Sequence, residues 1–459
     1  MKKLIALIFL AASAGLACMH CGMNSTQSLA ISIFTLSIIG SLLFWDFRLS
    51  FVFVGTALLL MTKTLDLKHL IEYSSLEVIL FLVGMMVLVG LLKETGFFAW
   101  LVSLILRIKN LTATKFLIFV CVISALSSCA IDEVTSIIFM VAAIFEICDY
   151  FEVDPKPFLI ISVIATNIGS AGTTLGNPIG ILIASKSGLT FEDFIMKAFP
   201  VMIVSLLVAV GIVKWWFRKS LSELDVKIKK FGANDILVKL ISVPPELNLK
   251  VGLGIFAATL VVIALHHRLE LLWGLAPNTI LFAAPLITSG GVMAWKRARA
   301  RSFIEKDVEW WTLLFFLLLF AQAGTLKYTG ATDVIARGLV NFTGNSIGLL
   351  TGVILWVVAL GSSCLDNVVV VAAFIPIIQS FKALGFNVQP LWWALLFGGC
   401  FGGNITLIGS TANIVAIGIL EKEKKVRITF FQWFWIGLLV GIVTTAIAWV
   451  ALLILPIYR

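Results

Sequence analysis

Charge is what this sequence has least of. Only 13% of its 459 residues are Asp, Glu, Lys or Arg, while 60% are apolar; a soluble domain carries about 25% charge. So few charges cannot cover a water-facing surface, which excludes a soluble enzyme and requires most of the chain to face lipid. The longest stretch without a candidate membrane segment, 218–250, is far short of an independent extramembrane domain. Also missing are a P-loop, a dinucleotide-binding glycine fingerprint and a paired nucleophile and base, so neither an enzyme nor an ATP-driven pump within the chain is expected. The seven cysteines offer no disulfide framework. Cys121, Cys129, Cys148, Cys364 and Cys400 lie in or beside apolar runs, where a thiol acts as a small hydrophobe. Cys18 and Cys21, around His20, form a single CxxC beside a terminal apolar run, a weak signal for a metal site. No cofactor is expected. The net charge of +9 does not indicate nucleic acid, because the basic residues sit in short loops and report orientation instead.

What the chain has in abundance is apolar segments. Runs at 4–18, 29–45, 49–62, 76–92, 158–184, 193–216, 251–266, 270–294, 310–326, 391–420 and 430–456 give eleven crossings. Two further apolar pairs, 116–148 and 346–381, are each interrupted near the middle by an acidic residue and read as hairpins that return to their own side. The predicted class is therefore an all-α polytopic membrane protein. Threading with Lys2 and Lys3 in the cytoplasm places the clusters Arg107 to Lys115, Arg218 to Lys230, Lys296 to Arg301 and Lys422 to Arg427 inside as well, with the C-terminus outside. Residues 1–28 fit a signal peptide or a short first span.

An internal repeat organises the rest. LKETG at 92–96 recurs as LKYTG at 326–330, and SSCAIDEV at 127–134 recurs as SSCLDNVV at 362–369, both at an offset of 234. Asp132 thus matches Asp366, and one residue less matches Gly176 to Gly409. The loops before the two hairpins lie on opposite sides, so residues 29–217 and 251–459 form an inverted repeat around the cytoplasmic loop 218–250. In each half a glycine-rich stretch, NIGSAGTTLGNPIG at 167–180 and GGCFGGNITLIGSTAN at 398–413, breaks a run otherwise long enough to span. Such breaks free backbone groups that lipid cannot satisfy and an ion or solute can.

The candidate site follows from these landmarks. Asp132, Glu133 and Asp366 stand where an ionisable group costs at least about 2.5 kcal/mol to insert. Ser128 and Ser363 precede the acids in both halves, and Asn367 follows the second. Carboxylate, hydroxyl and carbonyl oxygens suit a hard cation, so Asp132 and Asp366 are the expected sodium ligands. Thr173, Asn177, Asn404, Thr406, Ser410 and Asn413 supply neutral groups near Gly176 and Gly409, either as ligands or as local caps of the broken helices.

At these motifs the chain resembles the ion transporter superfamily, in the branch of arsenite permeases, NhaD-type sodium/proton antiporters and the P protein, with a citrate transporter-like domain. Leu365, Asp366 and Asn367 match the hairpin-tip sequence of that branch, and GGNITLIGSTANIVAIGI is very similar to its second break. Three positions depart from the pattern: Glu133 stands where Asn is usual, Asn177 where Asp is usual and Gly180 where Asn is usual. The resemblance implies a bacterial inner-membrane transporter with eleven spans and two re-entrant hairpins, working as a homodimer by elevator-like alternating access. It also implies sodium and protons as the transported or coupling ions. Related divalent anion symporters carry neutral tips. The acids here, with no Lys or Arg beside them in the motifs, speak against an anionic cargo. Cation/proton antiport is the leading reading, and an arsenite or dicarboxylate permease is the alternative.

Overall fold

The structure, a computed structural model, describes residues 2–97, 100, 112–231, 247–344 and 346–458. Every regular element among these residues is helical. Ten of the helices are long and apolar enough to cross a membrane. Each hairpin arm is a helix of 17 to 19 residues, and three of the four arms are among the ten. The runs predicted at 158–184 and 391–420 are not, because each is split: Lys156–Gly169 precedes Pro178–Ser187, and Gln389–Gly402 precedes Thr411–Lys424. The run at 270–294 is likewise divided, into His266–Trp273 and Thr279–Trp295. Arg107, Lys109 and residues 232–246 of the predicted loop lie outside the described residues. The first part of that loop is an amphipathic helix, Arg218–Phe231, which buries Leu221 and Leu224. Its Asp225 accepts a hydrogen bond from the backbone N–H of Ala113, at the base of the first hairpin (2.6 Å).

The two halves are built alike and interlock. Helix Leu76–Glu94 of the first half packs on Thr279–Trp295 of the second, while Trp310–Tyr328 of the second packs on Arg48–Met61 of the first. Two close approaches are matched at the repeat offset. A Cβ on Gly90 would lie 3.0 Å from the Asp307 side chain, and one on Gly324 would lie 2.3 Å from Tyr73. The second contact demands glycine and the first is tight, one from each half against the other.

Hairpins and broken helices follow from local chemistry. The first hairpin runs up Ala113–Ala130, turns through Ile131 and Asp132, and returns down Glu133–Phe151. The second uses Ile347–Cys364, then Leu365 and Asp366, then Asn367–Ala383. In both turns the residue before the acid is extended, which ends the first arm, and the aspartate then caps the second. The long halves of the broken helices are apolar and buried on every face, from Pro157 to Gly169 and from Pro390 to Gly402, which places them at the centre of the molecule. Each lies directly against its own hairpin: a Cβ on Gly169 would sit 2.3 Å from the Ala125 carbonyl oxygen, and one on Gly402 at the same distance from that of Ala359.

Candidate functional site

Four helix N-termini meet where the hairpin tips approach the breaks, and a residue singled out by the sequence caps each of them. Asp132 Oδ1 accepts from the N–H groups of Val134 and Thr135, both at 3.0 Å. Asp366 Oδ1 accepts from Val368 N–H (3.0 Å). Asn177 Oδ1 accepts from Gly180 N–H (2.8 Å), ahead of a proline at the first helical position. Ser410 Oγ accepts from Ala412 N–H (3.2 Å). The positive ends of four helices therefore point at one region, which lowers the cost of keeping carboxylates there.

The tips touch each other across the repeat. Asn367 Nδ2 donates to Glu133 Oε1 (3.2 Å), and these two residues are equivalents at the offset of 234. Ser410 Oγ donates to the same oxygen (3.2 Å), so a carboxylate of the first half is held by two groups of the second. Glu133 is buried, and its other oxygen, Oε2, has no hydrogen-bond partner among the described residues. The sequence grouped Asn367 with Asp366; in the fold its side chain belongs to Glu133 instead.

The two aspartates keep different company. Asp132 is half-buried, and its Oδ2 accepts from the hydroxyl of Thr135, on its own helix. Asp366 is buried, and its Oδ2 accepts from the hydroxyl of Thr411, on the second broken helix. Arg48 also stands beside it, with Nη1 3.9 Å from Asp366 Oδ2 and both side chains almost wholly buried. The motifs contain no Lys or Arg beside the acids, but the fold brings Arg48 in from more than 300 positions away in sequence. In the sequence WDFRLS, between two apolar runs, this arginine reads as an ordinary loop charge, and nothing local marks it.

The neutral groups divide into braces and lining. Thr173 donates to the carbonyl of Cys129, and Thr406 donates to the carbonyl of Ser363, an equivalent pair that ties each break to its own tip. Each of these hydroxyls also accepts an N–H from within the break, from Leu175 and from Ile408. Asn167, which the sequence reading passed over, donates to Asn404 Oδ1 (3.0 Å) and Asn413 Oδ1 (2.9 Å) and so joins the two broken helices. Asn413 in turn donates to the carbonyls of Gly403 (2.8 Å) and Thr406 (2.9 Å). Asn177 Nδ2 reaches Ser170 Oγ (2.9 Å) and Cys400 Sγ (3.1 Å). Ser363 bonds back to Leu360 O (2.6 Å) within its own helix, while the buried Ser128 hydroxyl has no partner among the described residues. Gly176 and Gly409 offer no side chain: a Cβ would lie 2.3 Å from Ser170 O or 2.7 Å from Gly403 O, so they let each break fold back on itself.

Two cavities approach this centre from equivalent directions. The first, about 330 Å³, is lined by Gly90, Lys93 and Asp307 and extends to Arg48, Asp132, Glu133, Thr135 and Thr411. The second, about 230 Å³, is lined by Gly324, Lys327 and Tyr73, the repeat equivalents of the first three, and none of the hairpin-tip acids lines it. One path thus reaches the acids and its counterpart stops short.

The sequence model of the citrate transporter family matches residues 34–398. An uncharacterized transporter of Mycobacterium tuberculosis is 33% identical over 381 residues, covering 81% of this chain and 84% of that protein. The human P protein is 28% identical over 460 residues, covering 85% of this chain and 54% of its own length. Among solved structures, the YdaH transporter of Alcanivorax borkumensis shares the fold with a TM-score of 0.54 at 14% identity, covering 84% of this chain and 86% of that one.

Proposed function

This chain belongs to the citrate transporter family, and from that premise we propose that the transporter exchanges a cation, sodium first among candidates, for protons by alternating access. The observation that carries this reading is the buried carboxylate of Glu133, with one oxygen held by Asn367 and Ser410 and the other without a hydrogen-bond partner among the described residues. A buried carboxylate oxygen without a donor costs several kcal/mol unless it is satisfied, and besides a water of the cavity a proton or a metal ion can satisfy it. Either can do so, and they cannot do so together. That mutual exclusion is the chemistry of an antiporter: arrival of one cargo at Glu133 releases the other, with Asp132 and Asp366 supplying further oxygens nearby.

The unequal cavities support the alternating part. Halves built on one plan can exchange conformations, so that the path past Gly324 and Lys327 opens as the one past Gly90 and Lys93 closes. With the threading set by loop charge, the open path faces the cytoplasm of an inner membrane. Gating by the two hairpins and assembly as a homodimer belong to the same reading.

Arg48 and the four converging helix N-termini favour a second reading, uptake or efflux of an organic anion such as a dicarboxylate, for which a cavity of about 330 Å³ has room. Everted membrane vesicles separate the two. Antiport predicts that added sodium collapses a preformed proton gradient across the neutral to alkaline range. A silent response to sodium, together with uptake of radiolabelled carboxylate into proteoliposomes, would replace it with the second reading.

A further inference from the structure

Arg48 is the one feature of the site that neither the repeat nor its motifs supply. Its guanidinium lies over the faces of Trp45 (4.2 Å to the ring centroid) and Phe315 (4.7 Å), which hold it by packing and cation–π attraction. Nη1 is buried and has no hydrogen-bond partner among the described residues. At 3.9 Å from Asp366 Oδ2 it is too far for the direct N–H···O bonds of about 2.7–2.9 Å that settle an arginine on a carboxylate. Asp366 keeps its own donors, Val368 N–H and the Thr411 hydroxyl, and no other charged group lies within ion-pair distance of it among the described residues. The guanidinium also lines the cavity that reaches Asp132 and Glu133. A purely structural ion pair would bury a fully bonded fork. This one is a charge held close to its partner by two rings, with Nη1 unbonded among the described residues, on the wall of the cavity.

Resting on the antiport reading, we infer that Arg48 is a tethered cation that stands in for the cargo at Asp366. It balances that carboxylate when the site is empty, and an incoming sodium ion displaces it toward the cavity. Asp366 is then compensated in the state without sodium, when Glu133 holds the proton. Only one aspartate has such a group: among the described residues no cation lies within ion-pair distance of Asp132, whose half-buried carboxylate lines the cavity.

The test is sodium-dependent proton movement in proteoliposomes of the full chain, comparing wild type, Arg48→Gln and Arg48→Lys. With the competitor gone, Arg48→Gln lowers the sodium concentration for half-maximal rate by about tenfold and slows maximal turnover. Arg48→Lys keeps the charge but lacks the planar face that the two rings hold, and lowers that concentration by about threefold. If Arg48→Gln does not fold, as judged by size-exclusion profile and thermal unfolding, Arg48→Lys alone decides. Half-saturation that is unchanged or raised in the folded variant overturns the inference and leaves antiport standing. Loss of radiolabelled dicarboxylate uptake in Arg48→Gln with sodium half-saturation unchanged overturns it in favour of anion recognition. A wild type silent to sodium, lithium and potassium removes the antiport reading and this inference with it.

Discussion

The two halves agree in their backbone contacts and in the paired aspartates, and differ in the side chains around those aspartates. Gly169 and Gly402 approach their hairpins equally closely, Thr173 and Thr406 tie equivalent carbonyls, and Asp132 and Asp366 cap equivalent helices. Against this, Glu133 faces its own counterpart Asn367, Asn177 has Ser410 as its equivalent, and Arg48 attends one aspartate only. The matched contacts preserve a common frame in the two halves. The unmatched side chains give the site a direction, with one carboxylate at the junction, a neutral amide opposite it and a cation on one flank.

Removing the paired acids tests the functional side of that contrast most severely. Asp132→Asn combined with Asp366→Asn should reduce transport by about a hundredfold or more while the protein still purifies as a folded species, because an amide can cap a helix but cannot carry the charge. Wild-type turnover in the double variant would assign both residues to capping alone. On the structural side, Gly169→Val and Gly402→Val should each destabilise the fold by about 3 kcal/mol or more, read as thermal unfolding in detergent, since each side chain would enter a hairpin backbone. Similar losses at both sites would uphold the equivalence of the halves, and a large loss at only one would break it.

A swap sharpens the comparison at the junction. Glu133→Asn alone should abolish exchange, whereas Glu133→Asn with Asn367→Glu returns the carboxylate to the other tip and should recover activity to within about tenfold of wild type. No recovery would mean that the site reads which half bears the charge. The smallest effect belongs to the periphery. Lys93 pairs with Asp307 at 3.4 Å at an exposed end of the open cavity, and Lys327, its equivalent, bonds Gln379 at 2.7 Å. Replacing Lys93 with alanine should change stability by no more than about 1 kcal/mol.

Much of this architecture could be read from the chain because it rests on local signals. The acid between two apolar runs gave both hairpin tips, the glycine-rich breaks gave the broken helices, and the offset of 234 gave their equivalence. The choice between cap and ligand for the neutral residues could not be read, since it depends on which backbone each one meets. Asn413 braces its own break, while Ser410 does both jobs, capping a helix and holding Glu133. Arg48, Asn167 and Thr411 were missed for a related reason. Each acts across elements distant in sequence, and neither spacing nor composition distinguishes an arginine that folds inward from one that marks the end of a span. Asn367 was assigned to the wrong acid because adjacency in sequence suggested Asp366, whereas the helix that begins there turns its side chain toward the opposite tip.

Under the antiport proposal, Glu133 is the group that sodium and protons share. Proteoliposomes carrying wild type and Glu133→Gln, loaded with a pH indicator and pulsed with sodium, test it directly. The prediction is sodium-dependent proton movement in the wild type and none in a folded Glu133→Gln. Equal rates in the two would contradict it.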